Sequence, residues 1–197
     1  MKKLLLLFAF MAMAGGIARS QGFASLHYDV GIPLGKTADE VGKVSFRGVG
    51  LDFRKVVTPG LAAGISLGWQ AFYEEKDYDT YTDGTISLSG VQFSYLNVVP
   101  ILLKADYIMG GDEDTVRPFA GIGVGTAYYE RYIEMGLFAS TINTWQFNLE
   151  PEVGILYQLS GTKYFFTAAK YNQGFKNDDL DAQSYLTINV GFCWRMN

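Results

Sequence analysis

Ser25, His27 and Asp29 are the residues whose types could supply a nucleophile, a base and an orienting carboxylate. His27 is the only histidine in the 197-residue chain, so general-base chemistry near neutral pH would rest on it. The three lie two residues apart on one face of an extended segment, which spaces neighbours by about 6.5–7 Å. A triad needs hydrogen-bond contact, so His27 is expected to be satisfied by nearby carboxylates and not to catalyse. The single cysteine, Cys193, excludes an internal disulfide and a cysteine zinc site, and a lone histidine excludes a multi-histidine metal site. Gly121, Gly123 and Gly125 repeat at strand period with no helix or Lys-Ser/Thr after them, so they are not a phosphate loop. No catalytic, cofactor-binding or metal-binding residue is expected.

A second group of reactive side chains is larger and carries both signs. Asp29, Asp52, Arg54, Lys104, Asp106, Arg117, Glu150, Glu152, Lys170 and Arg195 all fall on the mixed face of alternating segments. The segment Thr144–Gln158 makes the pattern plain. Trp145, Phe147, Leu149, Pro151, Val153, Ile155 and Tyr157 share one face, while Glu150 and Glu152 project from the other. Aromatics at both ends of an apolar face suit the two interfaces of a bilayer, whose hydrocarbon needs about nine to eleven tilted strand residues.

Seven further segments alternate in the same way: Phe23–Ile32, Val44–Val56, Leu61–Tyr73, Leu96–Ile108, Val116–Glu130, Tyr164–Asn172 and Ser184–Met196. Short turns are expected at Thr58–Gly60, Gly110–Thr115 and Ser160–Thr162. Longer polar connections are expected at Pro33–Lys43, from Glu74 to between Gly84 and Tyr95, at Arg131–Asn143 and at Gln173–Gln183, and part of the second is left open as strand projecting above the membrane. Pro100, Pro118 and Pro151 cannot donate to a ladder, so each is expected at a bulge or a strand end. No amphipathic helix is expected.

Lys2 and Lys3, an apolar run Leu4–Ala14 and small residues ending Ala18-Arg19-Ser20 read as a cleaved export signal over residues 1–20. Residues 21–197 then form one domain. Without Lys2, Lys3 and Arg19 the 16 basic residues fall to 13 against 20 acidic ones, which argues against nucleic acid as a partner.

Alternation alone leaves open which face is inside. A soluble periplasmic ligand-binding barrel would turn the apolar face inward. Glycines on the mixed face (Gly48, Gly50, Gly64, Gly68, Gly121, Gly123, Gly125 and Gly191) suit the narrow interior of eight strands. Short and long connections alternate, as in outer-membrane barrels. The apolar face is therefore expected to meet lipid. The charged set then lies in the lumen, either as a structural salt-bridge plug or as a polar path for a solute.

The segments RPFAGIGVG at Arg117–Gly125, LNVVPILLKADY at Leu96–Tyr107 and EPEVGILYQL at Glu150–Leu159 resemble the small Gram-negative outer-membrane β-barrel family, the porin-like barrels related to OmpA, OmpX and OmpW. Asn189, Gly191, Trp194 and Met196 in the closing segment resemble the signal read by the outer-membrane assembly machinery, although the usual final Phe is missing. The resemblance spans the mature chain. It implies an all-β, eight-stranded antiparallel up-and-down transmembrane barrel in the cell outer membrane, with lipid and the assembly machinery as partners. It hardly implies an activity, since such barrels serve adhesion, membrane integrity, solute passage and lipid modification. The expected function is non-enzymatic, a structural or surface-interaction role through the longer loops, with an extracellular ligand unidentified. A narrow passage for small or hydrophobic solutes and a lipid-modifying enzyme using His27 are the alternatives.

Overall fold

The computed structural model describes residues 22–83, 86–111 and 114–196; the expected export signal lies outside them. Eight strands follow one another: β1 (Gly22–Leu34), β2 (Gly48–Thr58), β3 (Leu61–Asp83), β4 (Ile86–Ile108), β5 (Val116–Met135), β6 (Phe138–Ser160), β7 (Lys163–Gly174) and β8 (Gln183–Met196). Each pairs antiparallel with the next, and β1 returns to β8 from Gly22↔Met196 to Leu34↔Ser184, closing the barrel. Closure removes every edge within the wall, so a bilayer meets no unpaired ladder there.

Period two sorts the side chains. Leu26, Leu51, Ile65, Leu67, Ile101, Leu103, Ile122, Val124, Val153 and Val190 are exposed on the outer face. Exposed aromatics stand at both ends of this belt, Phe53, Tyr107, Tyr157, Phe165 and Trp194 on the turn side, Tyr28, Trp69, Trp145 and Tyr171 on the loop side. An apolar band between aromatic girdles around a polar interior is the surface a bilayer solvates. No helix among the described residues is long and apolar enough to cross a membrane, which says nothing of crossing by strands.

Two connections differ from the sequence expectation. The segment from Glu74 to Tyr95, left open as strand in part, is strand over all its described residues: β3 and β4 stay paired through Glu74↔Ser94 and on to Asp83↔Ile86. Likewise Arg131–Asn143 is strand, paired through Met135↔Phe138 around a turn at Gly136 and Leu137. Their β-branched and aromatic residues alternate well enough to pair, and each strand finds a neighbour. The result is a four-stranded sheet, β3-β4-β5-β6, standing above the closed wall.

The connection after β1 holds a six-residue helix, α1 (Gly35–Glu40), where none was expected. The following Ser45 forms a bridge with Gly31. The prolines interrupt ladders without shifting register. Pairing of β3 with β4 skips Gly68 and Trp69 opposite Val99 and Pro100. Pairing of β6 with β7 skips Glu150 and Pro151 opposite Asn172 and Tyr171. Pro118 lies just past the last β4–β5 pair, Ile108↔Phe119.

Candidate functional site

The lumen is filled in layers. On the turn side Phe23, Ile108, Phe119, Leu156, Tyr164, Phe166 and Cys193 form an apolar floor. On the loop side Phe72, Leu96, Val98, Ala127, Tyr129 and Tyr185 meet Val41 and Leu180, which are 1% and 3% exposed. Those last two come from the connections after β1 and β7, so these connections fold back as a lid. Thr37 Oγ1 donates to Gln183 Oε1 at 2.7 Å and accepts from the Ser184 N–H at 2.9 Å. Gln146 Nε2 donates to the Leu180 and Asp181 carbonyls, each at 3.0 Å. Gly42 N–H donates to Glu74 Oε2 at 2.7 Å, Lys76 Nζ to the Asp39 carbonyl at 2.9 Å, and Arg131 pairs with Glu40 at 3.2 Å. The lid is thereby tied to the projecting sheet.

Between floor and lid sit the charges. Arg54 is the hub: Nε donates to Asp106 Oδ2 at 2.5 Å, Nη2 to Asp52 Oδ2 and Glu152 Oε1 at 3.1 Å each, and Nη1 to Ser25 Oγ at 3.3 Å. Its guanidinium lies 5.3 Å and 5.4 Å from the Phe119 and Phe166 ring centres, a cation–π contact with the floor. Lys104 pairs with Glu152 and, at 3.4 Å, with Glu150. Lys170 lies 3.4 Å from Asp52 and 3.9 Å from Glu150 and Glu152. Small residues opposite these groups make room: a Cβ on Gly121 would lie 1.8 Å from Asp106 Oδ1.

Of the ten charged residues expected inside, nine are buried, namely Asp29, Asp52, Arg54, Lys104, Asp106, Arg117, Glu150, Glu152 and Lys170. Arg117 lies in the floor with its guanidinium 5.9 Å from the Phe23 ring centre. Arg195 is half-buried at the turn-side rim, where its N–H donates to the Thr162 carbonyl at 2.8 Å. Asn189, expected as part of an assembly signal, lies in the lumen and donates to Asp29 Oδ1. Gly191 packs against the β1 backbone, while Trp194 and Met196 are exposed on the outer face.

The spacing expected for His27 and Asp29 is corrected by the structure. Their side chains lean together, and Nδ1 stands 2.5 Å from Asp29 Oδ1. With Nδ1 donating to the carboxylate, Nε2 accepts from Lys170 Nζ at 3.4 Å. Ser25 is not the third member, since its hydroxyl accepts from Arg54. Among the described residues no group of three or more His, Cys, Asp or Glu is arranged to hold a metal ion.

The space left over is small. One cavity of about 20 Å³ is lined by His27, Asp29, Gln70, Glu150, Lys170 and Asn172 among others, and another of about 10 Å³ lies beside Arg54 and Phe119. The first has room for about one water molecule. Gln70 Nε2 and Oε1 and Asn172 Oδ1, buried with no protein partner, face that space. Sequence reasoning missed the lid residues Thr37, Val41, Leu180 and Gln183. Their only signal was a few apolar residues without a period, Val41 and Leu180 among them, in two polar connections.

No family model matches the sequence, and no curated protein matches it. The structure has clear counterparts. The outer-membrane protein OprG from Pseudomonas aeruginosa matches 90% of this chain and 96% of its own, with TM-score 0.59 and 14% identity. The fold is that of the small outer-membrane barrels. Ail, the attachment invasion locus protein of Yersinia pestis, solved with the heparin analogue sucrose octasulfate, matches 90% of this chain and 99% of its own, with TM-score 0.53 and 10% identity. A major outer-membrane protein from Thermus thermophilus matches 90% of this chain and 100% of its own, with TM-score 0.53 and 15% identity. What is shared at these identities is the architecture of eight tilted antiparallel strands.

Proposed function

We propose that this chain is an integral outer-membrane protein whose lumen is a structural plug and whose working surface is the sheet projecting above the wall. The observation that carries this reading is the filled interior: an apolar floor, a paired charge layer and a lid, with cavities of about 20 and 10 Å³ between them. The charge layer holds the strands together by pairing across the lumen, from β2 to β4, β6 and β7. A non-enzymatic role follows from the same enclosure. His27 is spent on Asp29 and Lys170, Ser25 on Arg54, and neither reaches the surface.

The projecting sheet sets the class of partner. Ail was solved with a sulfated sugar analogue. Here β3 carries Glu74, Glu75, Asp77 and Asp79 against Lys76, which disfavours a polyanion on that hairpin and favours a neutral or cationic partner.

A narrow passage is the second reading. The ladder gaps at Gly68–Trp69/Val99–Pro100 and at Glu150–Pro151/Tyr171–Asn172 both border the larger cavity. That space has room for about one water molecule. Single-channel recording of the refolded protein in planar bilayers separates the two readings. The plug predicts no discrete conductance steps; reproducible steps that persist at neutral pH would assign the lumen or its gaps to solute transfer.

A further inference from the structure

We propose that the outer face of the projecting sheet binds an organic primary ammonium group, held against the Tyr132 ring between Glu130 and Glu134. The inference rests on the reading of that sheet as the working surface and names the chemistry of its guest.

The even-numbered residues of β5 share the outer face, so Tyr128, Glu130, Tyr132 and Glu134 follow one another along it. Register sets their neighbours. Tyr132 stands opposite Tyr95 on β4, which stands opposite Tyr73 on β3, and on its other side Tyr132 stands opposite Thr141 of β6. The three rings make a cross-strand row, with centres 4.8 Å apart for Tyr73 and Tyr95 and 5.8 Å apart for Tyr95 and Tyr132. The row ends at Tyr132. Tyr95 covers one side of its ring, while towards β6 the same face carries only Ala139, Thr141 and Asn143, all short and exposed. The ring is open on that side.

Two carboxylates flank the opening, each about 6.5–7 Å along the strand from Tyr132. Glu134 Oε2 accepts from the Tyr132 hydroxyl and Glu130 Oε2 from Asn97 Nδ2, both at 3.1 Å. These donors are neutral, and neither carboxylate forms an ion pair with a described residue. The basic side chains nearby are turned away. Arg131 lies on the opposite face and pairs with Glu40 at 3.2 Å, Lys76 Nζ donates to the Asp39 carbonyl at 2.9 Å, and Lys43 Nζ donates to the Glu75 carbonyl at 3.4 Å. Two anionic groups and an aromatic face thus converge without a resident cation.

That combination describes the guest. A ring face attracts a cation within about 6 Å of its centre, and carboxylates accept strong hydrogen bonds from charged donors. An ammonium group has three N–H donors, enough for Glu130, Glu134 and the Thr141 hydroxyl, while its carbon stem lies along the ring. An anion is repelled, and a neutral guest gains nothing from the charges. No group of three or more His, Cys, Asp or Glu among the described residues is arranged for a metal ion, so the cation is organic. Tyr132 lies four residues beyond Tyr128, whose ring meets the girdle residue Trp145 at 5.2 Å. On a tilted strand that is about 10 Å above the girdle, where a lipid headgroup or a free amine can supply the ammonium.

The test uses the refolded protein in lipid nanodiscs, with ethanolamine hydrochloride as the probe and NMR shifts of the amides and tyrosine rings as the readout. In phosphatidylglycerol discs the probe is expected to shift Tyr132, Glu134 and Thr141 saturably, while β2 and β7 stay unchanged. The same shifts in discs containing phosphatidylethanolamine, before any probe is added, assign the ammonium to a lipid headgroup; shifts that appear only on titration assign it to a soluble amine. Tyr132→Leu is expected to weaken binding about two- to fivefold, the range of an exposed cation–π contact. Glu130→Gln combined with Glu134→Gln abolishes saturation, and Thr141→Trp, which fills the opening without changing charge, does the same if the double variant fails to fold. The proposal is overturned if neither disc gives the shifts, if sodium chloride at equal ionic strength reproduces them, or if the double variant binds as the native protein does. Heat-dependent electrophoretic mobility reports the closed barrel and conductance recording reports the plug, so failure of binding is distinguishable from failure of the reading beneath it.

Discussion

Arg54 and Asp106 meet across the lumen from β2 and β4, with Nε 2.5 Å from Oδ2, although 52 residues separate them in sequence. The same guanidinium serves Asp52 and Glu152, so three carboxylates lose a partner if it is removed. Breaking a buried pair leaves uncompensated charge and costs about 3–5 kcal/mol. Arg54→Met is expected to lower unfolding stability in urea by that order, and Arg54→Met with Asp106→Leu to recover part of the loss. An Arg54→Met protein as stable as the native one would remove the charge layer from any structural role.

Gly191 marks the seam where the barrel closes. A Cβ there would stand 2.1 Å from the Leu26 carbonyl oxygen and 2.6 Å from the His27 Cα, both backbone atoms that can move only with β1. Gly191→Ala is expected to destabilise by about 1–3 kcal/mol, the range of overpacking in a close-packed site. Gly111→Ala, with nothing nearer than 3.8 Å, is the control and should change little. The fraction of protein that migrates as a folded band before boiling measures both. Equal folding of the two variants would show that the seam tolerates a shift.

Burial pushes the Glu40 carboxyl up from the usual carboxylate range, with Arg131 acting in the opposite direction. A raised folded-state pKa means that the folded lid holds the proton more tightly than the unfolded chain. Its contribution is present below the unfolded pKa and is lost as pH rises through the folded one. Glu40→Gln cannot ionise. Its stability relative to the native protein is therefore expected to rise as pH goes from about 4 to about 7. Parallel denaturation midpoints across that range would show that Glu40 is not a strained carboxylate of the lid.

Much of the wall was legible because side-chain direction on a strand depends only on parity. The faces of Leu61–Tyr73 or Thr144–Gln158 follow from residue type and period two, without knowledge of any neighbour. The projecting hairpins were less legible. Glu74–Asp83 is acidic and rich in Tyr and Thr, a composition that solvated loops share, and its strand character comes from pairing with Ile86–Tyr95. The helix and lid were hidden for a similar reason. Val41 and Leu180 are isolated among polar neighbours, and the few apolar residues of their connections form no period.

By itself the sequence determined the alternating faces, the number of strands and the set of charges available to a narrow interior. The tertiary structure alone decided which charges meet, because parity fixes a face but not the register and partners across a lumen. It placed Arg54 among Asp52, Asp106 and Glu152, drew His27 onto Asp29 through side-chain torsions that spacing along a strand cannot express, and folded Val41 and Leu180 over the opening. Closure of the ring is what brings these residues together, and closure is a property of all eight strands at once.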